Sequence, residues 1–382
     1  MPLKIKNSDT TTIILGLIVL CIVAFLYSRY YDKIDRLYGD SNYDSMIRQY
    51  LAKENSPSLA DKKNKPLLWI PICYDVNARY WQSFGSRNST ELNQPYLYLT
   101  IKSIIRQCND SFQICLIDDD SFPKLLPEWN IDMKKIGSPI VDKIRQLGLM
   151  KILYAYGGMI VPPSFLCMHD LNEMYEMGTG GNMMFVVENI DRNSTSVKHE
   201  FFPDIRFCGA PKELPVVKEL MSFMEQTIST DFTQESIFLG EYDRWVNERR
   251  SQIKVIDGKL IGVKTMHDEM ILIDNLLSND YLDIYPQTFG IYIPQDEILN
   301  RRNYEWFARL SPKQVLQSKV IIGKYILLAN APDAKMGVIE PMEVTPNWVS
   351  YWNVPSGTPV WGLMPNNLGN NLIQQEHYNP NT

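Results

Sequence analysis

The stretch that constrains this chain most is a helical pattern that stops at two adjacent glycines and continues as an apolar strand. Ser138 and Pro139 are suited to begin the helix. Its apolar positions recur at helical spacing, at Ile140, Ile144, Leu147, Met150 and Leu153. Gly157 and Gly158 then end it, because glycine accepts the left-handed conformation that follows a helix. Residues 159–161 are apolar, so the pattern predicts a helix that leads directly into a buried strand.

Similar segments extend this unit into an α/β domain. Apolar runs of strand length recur over residues 67–74, 112–117, 159–161 and 183–187. An amphipathic pattern that begins near Pro95 predicts a helix between the first two strands. Strands that alternate with helices are typical of a mainly parallel sheet with helices on its faces. We therefore expect a mainly parallel sheet flanked by helices.

The segments after the fourth strand are expected to differ in kind. Residues 213–227 and 234–249 have the pattern of a helical pair. Residues 253–263 predict a hairpin that turns at Asp257 and Gly258, because Asp-Gly is a strong signal for a tight turn between antiparallel strands.

An uncharged run near the amino terminus predicts a membrane-spanning helix. Residues 10–28 contain no charged side chain, and the central residues 13–26 are almost wholly apolar. A helix of this length rises about 28 Å, close to the hydrocarbon thickness of a bilayer. The alternative is a signal peptide, in which the apolar region is shorter and a small-x-small cleavage site follows. Aromatic and basic residues follow here instead, which favours an uncleaved anchor in the lipid bilayer.

The anchor predicts a division of the chain into five segments. They are a short tail (1–9), the transmembrane helix (10–28), a stem or linker (29–65), the α/β domain (66–330) and an extended carboxyl-terminal segment (331–382) that packs on the domain. Basic residues flank both sides of the anchor, so the positive-inside rule does not fix its orientation. A short tail before the anchor and a large domain after it is the usual layout of a type II membrane protein. We therefore expect a single-pass protein whose domain is lumenal or extracytoplasmic, or lies in a virion.

Composition and cysteine spacing limit the function further. The chain has 382 residues, 45% of them hydrophobic, and a formal net charge of −6. A mildly acidic chain without a long basic run has no electrostatic reason to bind nucleic acid, so no such partner is expected. The six cysteines form no zinc or redox motif. Cys73, Cys115 and Cys208 lie in apolar runs and are interpreted as core residues, and disulfide bonds stay open. If the domain is lumenal, candidate glycosylation sites are Asn88, Asn109 and Asn193.

Three consecutive aspartates directly after the second strand are the first candidate site. Asp118 and Asp120 are two residues apart, so in an extended chain they face the same way and could share a cation. Oxygen ligands suit Mg²⁺ or Mn²⁺, the cations that hold diphosphates. The carboxyl ends of parallel strands are also where such sheets bind ligands. The alternative is an acidic turn that only caps residues 121–123.

His267 is the second candidate, followed by Asp268 and Glu269. A histidine there could complete a metal shell or act as a base. The alternative is the solvated first turn of a helix, where acidic residues are favourable. Gly157 and Gly158 lack the spacing of a phosphate-binding loop, so a helix stop is the better interpretation of that pair.

Residues 67–171 resemble the DXD-containing glycosyltransferase family, which includes capsular polysaccharide synthesis enzymes, outer-chain mannosyltransferases and the transferase domains of clostridial toxins. The resemblance rests on the apolar strand before Pro71, the strand end at Ile117–Asp120 and the run Leu153–Gly158. It implies a GT-A fold, a nucleotide-sugar donor, a glycan acceptor and a divalent metal. The stretch Leu149–Phe165 is also similar to uncharacterised proteins of large DNA viruses.

The chain departs from that family at the positions that carry its chemistry. The family's Asp-x-Asp corresponds to Pro162, Pro163 and Ser164, which offer a metal no carboxylate. The residues that hold the nucleoside in the family, Ser-Asp and then Arg, correspond to Arg145, Gln146 and Leu149.

Three functions therefore remain as hypotheses. The first is sugar transfer from a nucleotide sugar, with Asp118 and Asp120 as contacts to the donor. The second is a catalytically degenerate transferase fold with a structural or binding role in a membrane-associated particle or envelope. An unrelated membrane-tethered binding domain is a third alternative.

Overall fold

The computed structural model describes residues 49–51, 65–72, 94–137, 140–190, 200–230, 240–300 and 303–330. The chain divides into two compact units, Met1–Leu51 and Ala52–Thr382, and every element named below belongs to the second. The predicted transmembrane helix (10–28) and the carboxyl-terminal segment (331–382) lie outside the described residues, as does most of the stem. Among the helices that are described, none combines the length and the apolar character needed to cross a bilayer.

The centre of the second unit is a six-stranded sheet. The described strands are β1 (Leu67–Pro71), β2 (Gln113–Ile117), β3 (Gly158–Ile160), β4 (Phe165–Cys167), β5 (Met184–Ile190), β6 (Phe201–Ala210), β7 (Ile253–Ile256) and β8 (Gly290–Tyr292). The order in the large sheet is β2-β1-β3-β6-β5-β7, while β4 and β8 form a separate pair. β1 runs parallel to β2 and β3, and β5 runs parallel to β7, whereas β6 is antiparallel to both of its neighbours. This mostly parallel sheet confirms the predicted α/β class.

Helices flank the sheet. They are α1 (Tyr96–Cys108), α2 (Phe122–Leu125), α3 (Ile140–Tyr156), α4 (Asn172–Thr179), α5 (Pro215–Ser229), α6 (Glu241–Asn247), α7 (Ile273–Leu276), α8 (Gln295–Asn300), α9 (Glu305–Ala308), α10 (Pro312–Leu316) and α11 (Ile321–Asn330). The predicted helix after Pro95 and the predicted helix that ends at Gly157 are confirmed as α1 and α3. The expected helical pair corresponds to α5 and to the shorter α6.

One face of the sheet packs against α3, α5 and α6. Trp69 and Val186 contribute to this core from the sheet, and Leu153 and Val217 contribute from α3 and α5. Side chains alternate between the two faces of a strand, so Leu68 and its neighbours at the same spacing point to the opposite face. Burial of each large aliphatic side chain stabilises the fold by about 1.5–3 kcal/mol.

The opposite face is covered by β4 and α4 through aromatic contacts. Phe165 of β4 packs edge-on against Phe207 of β6, with ring centroids 5.0 Å apart. Tyr175 of α4 lies between Phe112 and Phe185, at 5.9 and 6.4 Å. The strands are therefore buried on both faces, which explains their continuous apolar runs.

The paired glycines at the junction of α3 and β3 are required by the backbone conformation there. Gly157 and Gly158 have φ angles of +70° and +104°, and a Cβ on Gly158 would lie 2.2 Å from the carbonyl oxygen of Leu67. The indole Nε1 of Trp69 also donates to the carbonyl oxygen of Gly157 at 2.9 Å. Only glycine allows β3 to approach β1 this closely and in this conformation, so the predicted helix stop is confirmed.

The predicted hairpin over residues 253–263 is wrong. β7 ends at Ile256 and pairs in parallel with β5 rather than with a strand that follows it. Asp257 instead accepts a hydrogen bond from the backbone N–H of Lys259 and begins a 3-10 helix at Gly258–Ile261. The Asp-Gly signal correctly marks a change of direction, but the pairing partner of the strand is distant in sequence.

Replacement of Gly158 by alanine is expected to lower the free energy of unfolding by about 3 kcal/mol or more, because the new methyl group meets the Leu67 carbonyl and the positive φ is unfavourable. Urea unfolding measures the effect. The matched control is Gly137→Ala, since a Cβ at the exposed Gly137 meets no atom within 4 Å. Equal unfolding midpoints for the two variants would contradict the assignment.

Candidate functional site

Two of the predicted site segments, residues 118–120 and residues 162–164, lie on one edge of the sheet, which we call the carboxyl edge. It is the edge at which β1, β2, β3, β5 and β7 end. The turn Asp118–Ser121 follows β2 there, and the turn Pro162–Ser164 follows β3. Residues 204–206 of β6 also lie there, because Cys208 is opposite the last residue of β3 and β6 runs the other way.

Asp118 belongs to a tight turn rather than to an extended strand. The backbone N–H of Ser121 donates to the carbonyl oxygen of Asp118 at 3.0 Å. The Ser121 hydroxyl donates to the Asp118 carboxylate and accepts from the Asp118 backbone N–H. The premise that residues 118 and 120 face the same way in an extended chain therefore does not hold. These contacts match the alternative interpretation, a turn that caps the residues after it.

The other two aspartates of the turn pair with basic side chains. Both carboxylate oxygens of Asp119 accept from Arg145 of α3, at 2.9 and 2.8 Å. Arg145 also pairs with Asp142 at 2.8 Å. Asp120 is mostly exposed and lies 3.5 Å from the ammonium of Lys134. The bidentate guanidinium pair is the strongest of these contacts, and it neutralises the central carboxylate of the turn.

The turn Pro162–Ser164, which follows β3, is buried. Residues 161–167 are all buried, and Ser164 has no exposed surface. The hydroxyl of Thr100 in α1 donates to the carbonyl oxygen of Pro163 at 2.5 Å. The backbone N–H of Ile293, just after β8, donates to the carbonyl oxygen of Ser164 at 3.2 Å. The turn is therefore covered by α1 and by the segment that follows β8.

The side chain of Ser164 is not part of this network. Within the part of the chain that the structure describes, its hydroxyl is buried and has no hydrogen-bond partner. A buried hydroxyl without a partner costs about 1–3 kcal/mol. The Ser164 hydroxyl therefore lowers the stability of the buried turn.

The remaining predicted residues lie apart from this edge or outside the described ranges. His267 is largely exposed in a turn, and its Nε2 is 3.6 Å from a carboxylate oxygen of Asp283. Asp268 pairs with Lys259 at 2.9 Å. The described residues 267 and 268 lie in a turn and a bend and do not begin a helix, so the alternative interpretation as a helix start does not hold. Asn109 is exposed directly after α1. Candidate glycosylation sites Asn88 and Asn193 lie outside the described residues.

A charged cluster on β6 is the main feature of the carboxyl edge that the sequence analysis missed. Asp204 is only 5% exposed and accepts a bidentate pair from the guanidinium of Arg206. Arg206 also donates to Asp296 at 3.0 Å, at the start of α8. Asn189 of β5 donates to Asp204 at 2.9 Å. Burial disfavours ionisation of Asp204, but the charge and hydrogen bonds of Arg206 outweigh it and hold the pKa below its usual value.

Two further charges adjoin this cluster. Asp243 of α6 accepts from the backbone N–H of Ile205 at 3.1 Å. Burial raises the pKa of Asp243 to about 7, Asp204 adds to the shift, and Arg206 opposes it. Burial also lowers the pKa of Lys143 in α3, whose ammonium lies 4.7 Å from the centre of the Tyr242 ring. The cluster therefore holds a carboxyl group that titrates near neutral pH.

A sequence signal for the cluster exists in retrospect. Asp204 and Arg206 are two residues apart within a largely apolar segment, so in a strand they lie on the same face and can pair. Pro203 precedes them and weakens the strand pattern, which is why β6 was not predicted.

The residues at this edge do not fit the divalent metal that the resemblance implies. The buried turn Pro162–Ser164 supplies no carboxylate, and the aspartates after β2 are bonded to a hydroxyl, a guanidinium and an ammonium. Within the described ranges, no group of three His, Cys, Asp or Glu side chains is placed to hold a metal ion. Comparison with known proteins adds no family, since no protein-family model and no curated protein matches the chain.

Replacement of Ser164 by alanine is expected to leave the free energy of unfolding unchanged or to raise it by about 1 kcal/mol, because it removes a buried hydroxyl that has no partner. The matched control is Ser103→Ala. The Ser103 hydroxyl donates to the Thr100 carbonyl and accepts from the Cys167 N–H, so its loss should cost about 1–3 kcal/mol. Urea unfolding compares the two, and a clear loss of stability in Ser164→Ala would show that its hydroxyl has a partner.

The titration of Asp243 predicts a pH dependence of stability. Its pKa is about 7 in the folded protein and about 3.9 in an unfolded chain, so between these values only the unfolded chain releases the proton. The contribution of Asp243 to the free energy of unfolding is therefore highest below about pH 4. It falls as the pH rises from about 4 to about 7 and is constant at higher pH.

Asp243→Asn should remove this slope and retain the acceptor for the Ile205 N–H. At pH 8 we expect the variant to be more stable than the wild type by about 1–3 kcal/mol, and at pH 4 the difference should nearly vanish. Urea unfolding at the two pH values measures it. A variant that is less stable than the wild type at pH 8 would mean that the ionised carboxylate is favourable in the fold.

Proposed function

We propose that this protein is a membrane-anchored chain whose glycosyltransferase-like domain has lost metal-dependent sugar transfer. The domain then has a structural or binding role in a membrane-associated particle or envelope. The observation that carries the proposal is the burial of the turn at residues 162–164, which corresponds to the Asp-x-Asp of the family that the chain resembles.

The burial of this turn argues against a donor site at the position that the family uses. A cation that bridges a protein to a diphosphate needs ligands that face an open site. Here the carbonyl oxygens of Pro163 and Ser164 already accept hydrogen bonds from α1 and from the segment after β8. A donor could reach the turn only if both of these segments moved away.

The aspartates after β2 do not replace the lost ligands. Arg145 is bonded to both oxygens of Asp119, and Lys134 lies near Asp120. A metal cation at this turn would have to compete with the positive charges of Arg145 and Lys134. The contacts therefore support a role of the turn in holding α3 against the end of β2.

A site for another ligand at the carboxyl edge is compatible with the same geometry. The charges of Asp204, Arg206 and Asp296 gather there, and Arg206 is only partly buried. The uncharged run at residues 10–28 supports attachment of the domain to a bilayer, with the domain lumenal, extracytoplasmic or in a virion.

The loss of donor binding is tested by thermal unfolding with a panel of nucleotide sugars, each with Mn²⁺ and with a chelator. A ligand at 100 times its dissociation constant stabilises the folded state by about 2.7 kcal/mol, which raises the melting temperature by several degrees. We expect no such rise with any donor.

A rise in the melting temperature that requires Mn²⁺ and is absent in the Asp120→Ala variant would contradict this proposal and favour sugar transfer as the function. The matched control is Asp110→Ala, another exposed aspartate. A structural role also predicts that the protein is present in the isolated membrane or particle in amounts similar to its structural components, whereas an enzyme needs few copies. Quantitative mass spectrometry of that fraction measures the ratio.

A further inference from the structure

Two cysteines lie side by side between α1 and β4. The sulfur atoms of Cys108 and Cys167 are 3.8 Å apart, and both side chains are fully buried. Cys108 is the last residue of α1, and Cys167 is the last residue of β4. We propose that Cys108 and Cys167 form a disulfide bond when the chain folds in the presence of a small-molecule disulfide such as glutathione disulfide. This proposal does not depend on the proposed function.

The separation of the sulfur atoms is small enough for bond formation. A disulfide requires a sulfur–sulfur distance of about 2.05 Å. From 3.8 Å, each sulfur has to move by about 0.9 Å, which is within the reach of small rotations of the two side chains. The two thiols already contact each other directly.

The backbones that carry the two cysteines are held together by an independent contact. The backbone N–H of Cys167 donates to the hydroxyl of Ser103 in α1 at 3.0 Å. Ser103 in turn donates to the carbonyl oxygen of Thr100 at 2.6 Å. This contact holds α1 against β4 at Ser103, about 1.4 helical turns before Cys108, and so keeps the two sulfur atoms adjacent.

The chemistry is thiol–disulfide exchange. The thiolate of one cysteine attacks the oxidant and releases one reduced molecule, and the second thiolate then displaces the other. Two electrons pass to the oxidant, which leaves as two thiols that take up the two protons. Burial raises the pKa of Cys167 well above its usual value, so attack by its thiol is slow in the folded state, and the oxidant is therefore supplied during folding.

Two other cysteines provide matched controls. Cys115 and Cys208 are also buried, but they belong to the core on the α3 and α5 side of the sheet. In both, burial raises the thiol pKa. If the oxidant linked buried cysteines without regard to their positions, Cys115 and Cys208 would also be found in disulfide bonds. Linkage of Cys108 to Cys167 alone therefore depends on their proximity.

The bond would enclose the segments that the sequence analysis singled out. The chain between Cys108 and Cys167 contains the turn after β2, helix α3, the paired glycines and the turn at residues 162–164. A disulfide that closes a loop of this length restricts the unfolded chain and so stabilises the folded one. The effect on the melting temperature is expected to be a rise of several degrees.

The test uses the full chain, folded either with glutathione disulfide or with reductant only. Each sample is denatured, alkylated without further reduction and digested for mass spectrometry. After folding with the oxidant, we expect a peptide pair linked through Cys108 and Cys167, and alkylation of four of the six cysteines. After folding with reductant, all six should be alkylated and the melting temperature should be lower.

Variants separate this pair from other thiols. Cys108→Ala should abolish the linked peptide and the dependence of the melting temperature on the oxidant, whereas Cys115→Ala should retain both. If Cys108→Ala does not fold, the wild-type peptide map and melting temperatures decide. Recovery of Cys108 and Cys167 as alkylated thiols after folding with the oxidant would overturn the proposal, and so would linkage of either to another cysteine.

Discussion

The close approach of β3 to β1 is the constraint on which the rest of this structure depends. Gly158 has no side chain, so its backbone lies against the Leu67 carbonyl at a distance that any Cβ would prevent. Trp69 reinforces the same contact from the neighbouring strand through its bond to Gly157. After β3, residues 161–167 are buried, and the last three of them form β4, which pairs with β8.

The carboxyl edge of the sheet carries charged side chains, and most of them form ion pairs with one another. Arg145 neutralises Asp119, and Arg206 lies between Asp204 and Asp296. Partly buried pairs of this kind add little net stability, since desolvation offsets much of their attraction, but loss of one partner leaves an unpaired charge. The edge where parallel sheets usually bind ligands is therefore organised here largely by contacts within the protein.

Local patterns predicted the elements whose determinants are local. Helix α3 and its glycine stop followed from apolar spacing and from the conformational freedom of Gly157 and Gly158. Strand β6 was missed because Pro203 and two charged residues interrupt its pattern. The hairpin at Asp257 was wrong because β7 pairs with β5, about 70 residues earlier in the chain, and a turn signal carries no information about a distant partner.

The sequence by itself determined the α/β class, the uncharged amino-terminal run and the absence of carboxylates at residues 162–164, because periodicity, charge and residue identity are properties of short segments. Only the tertiary structure decided which partners the aspartates have, that the turn after β3 is buried, and that Cys108 lies beside Cys167. Each of these depends on how distant segments pack, and no local pattern specifies that packing.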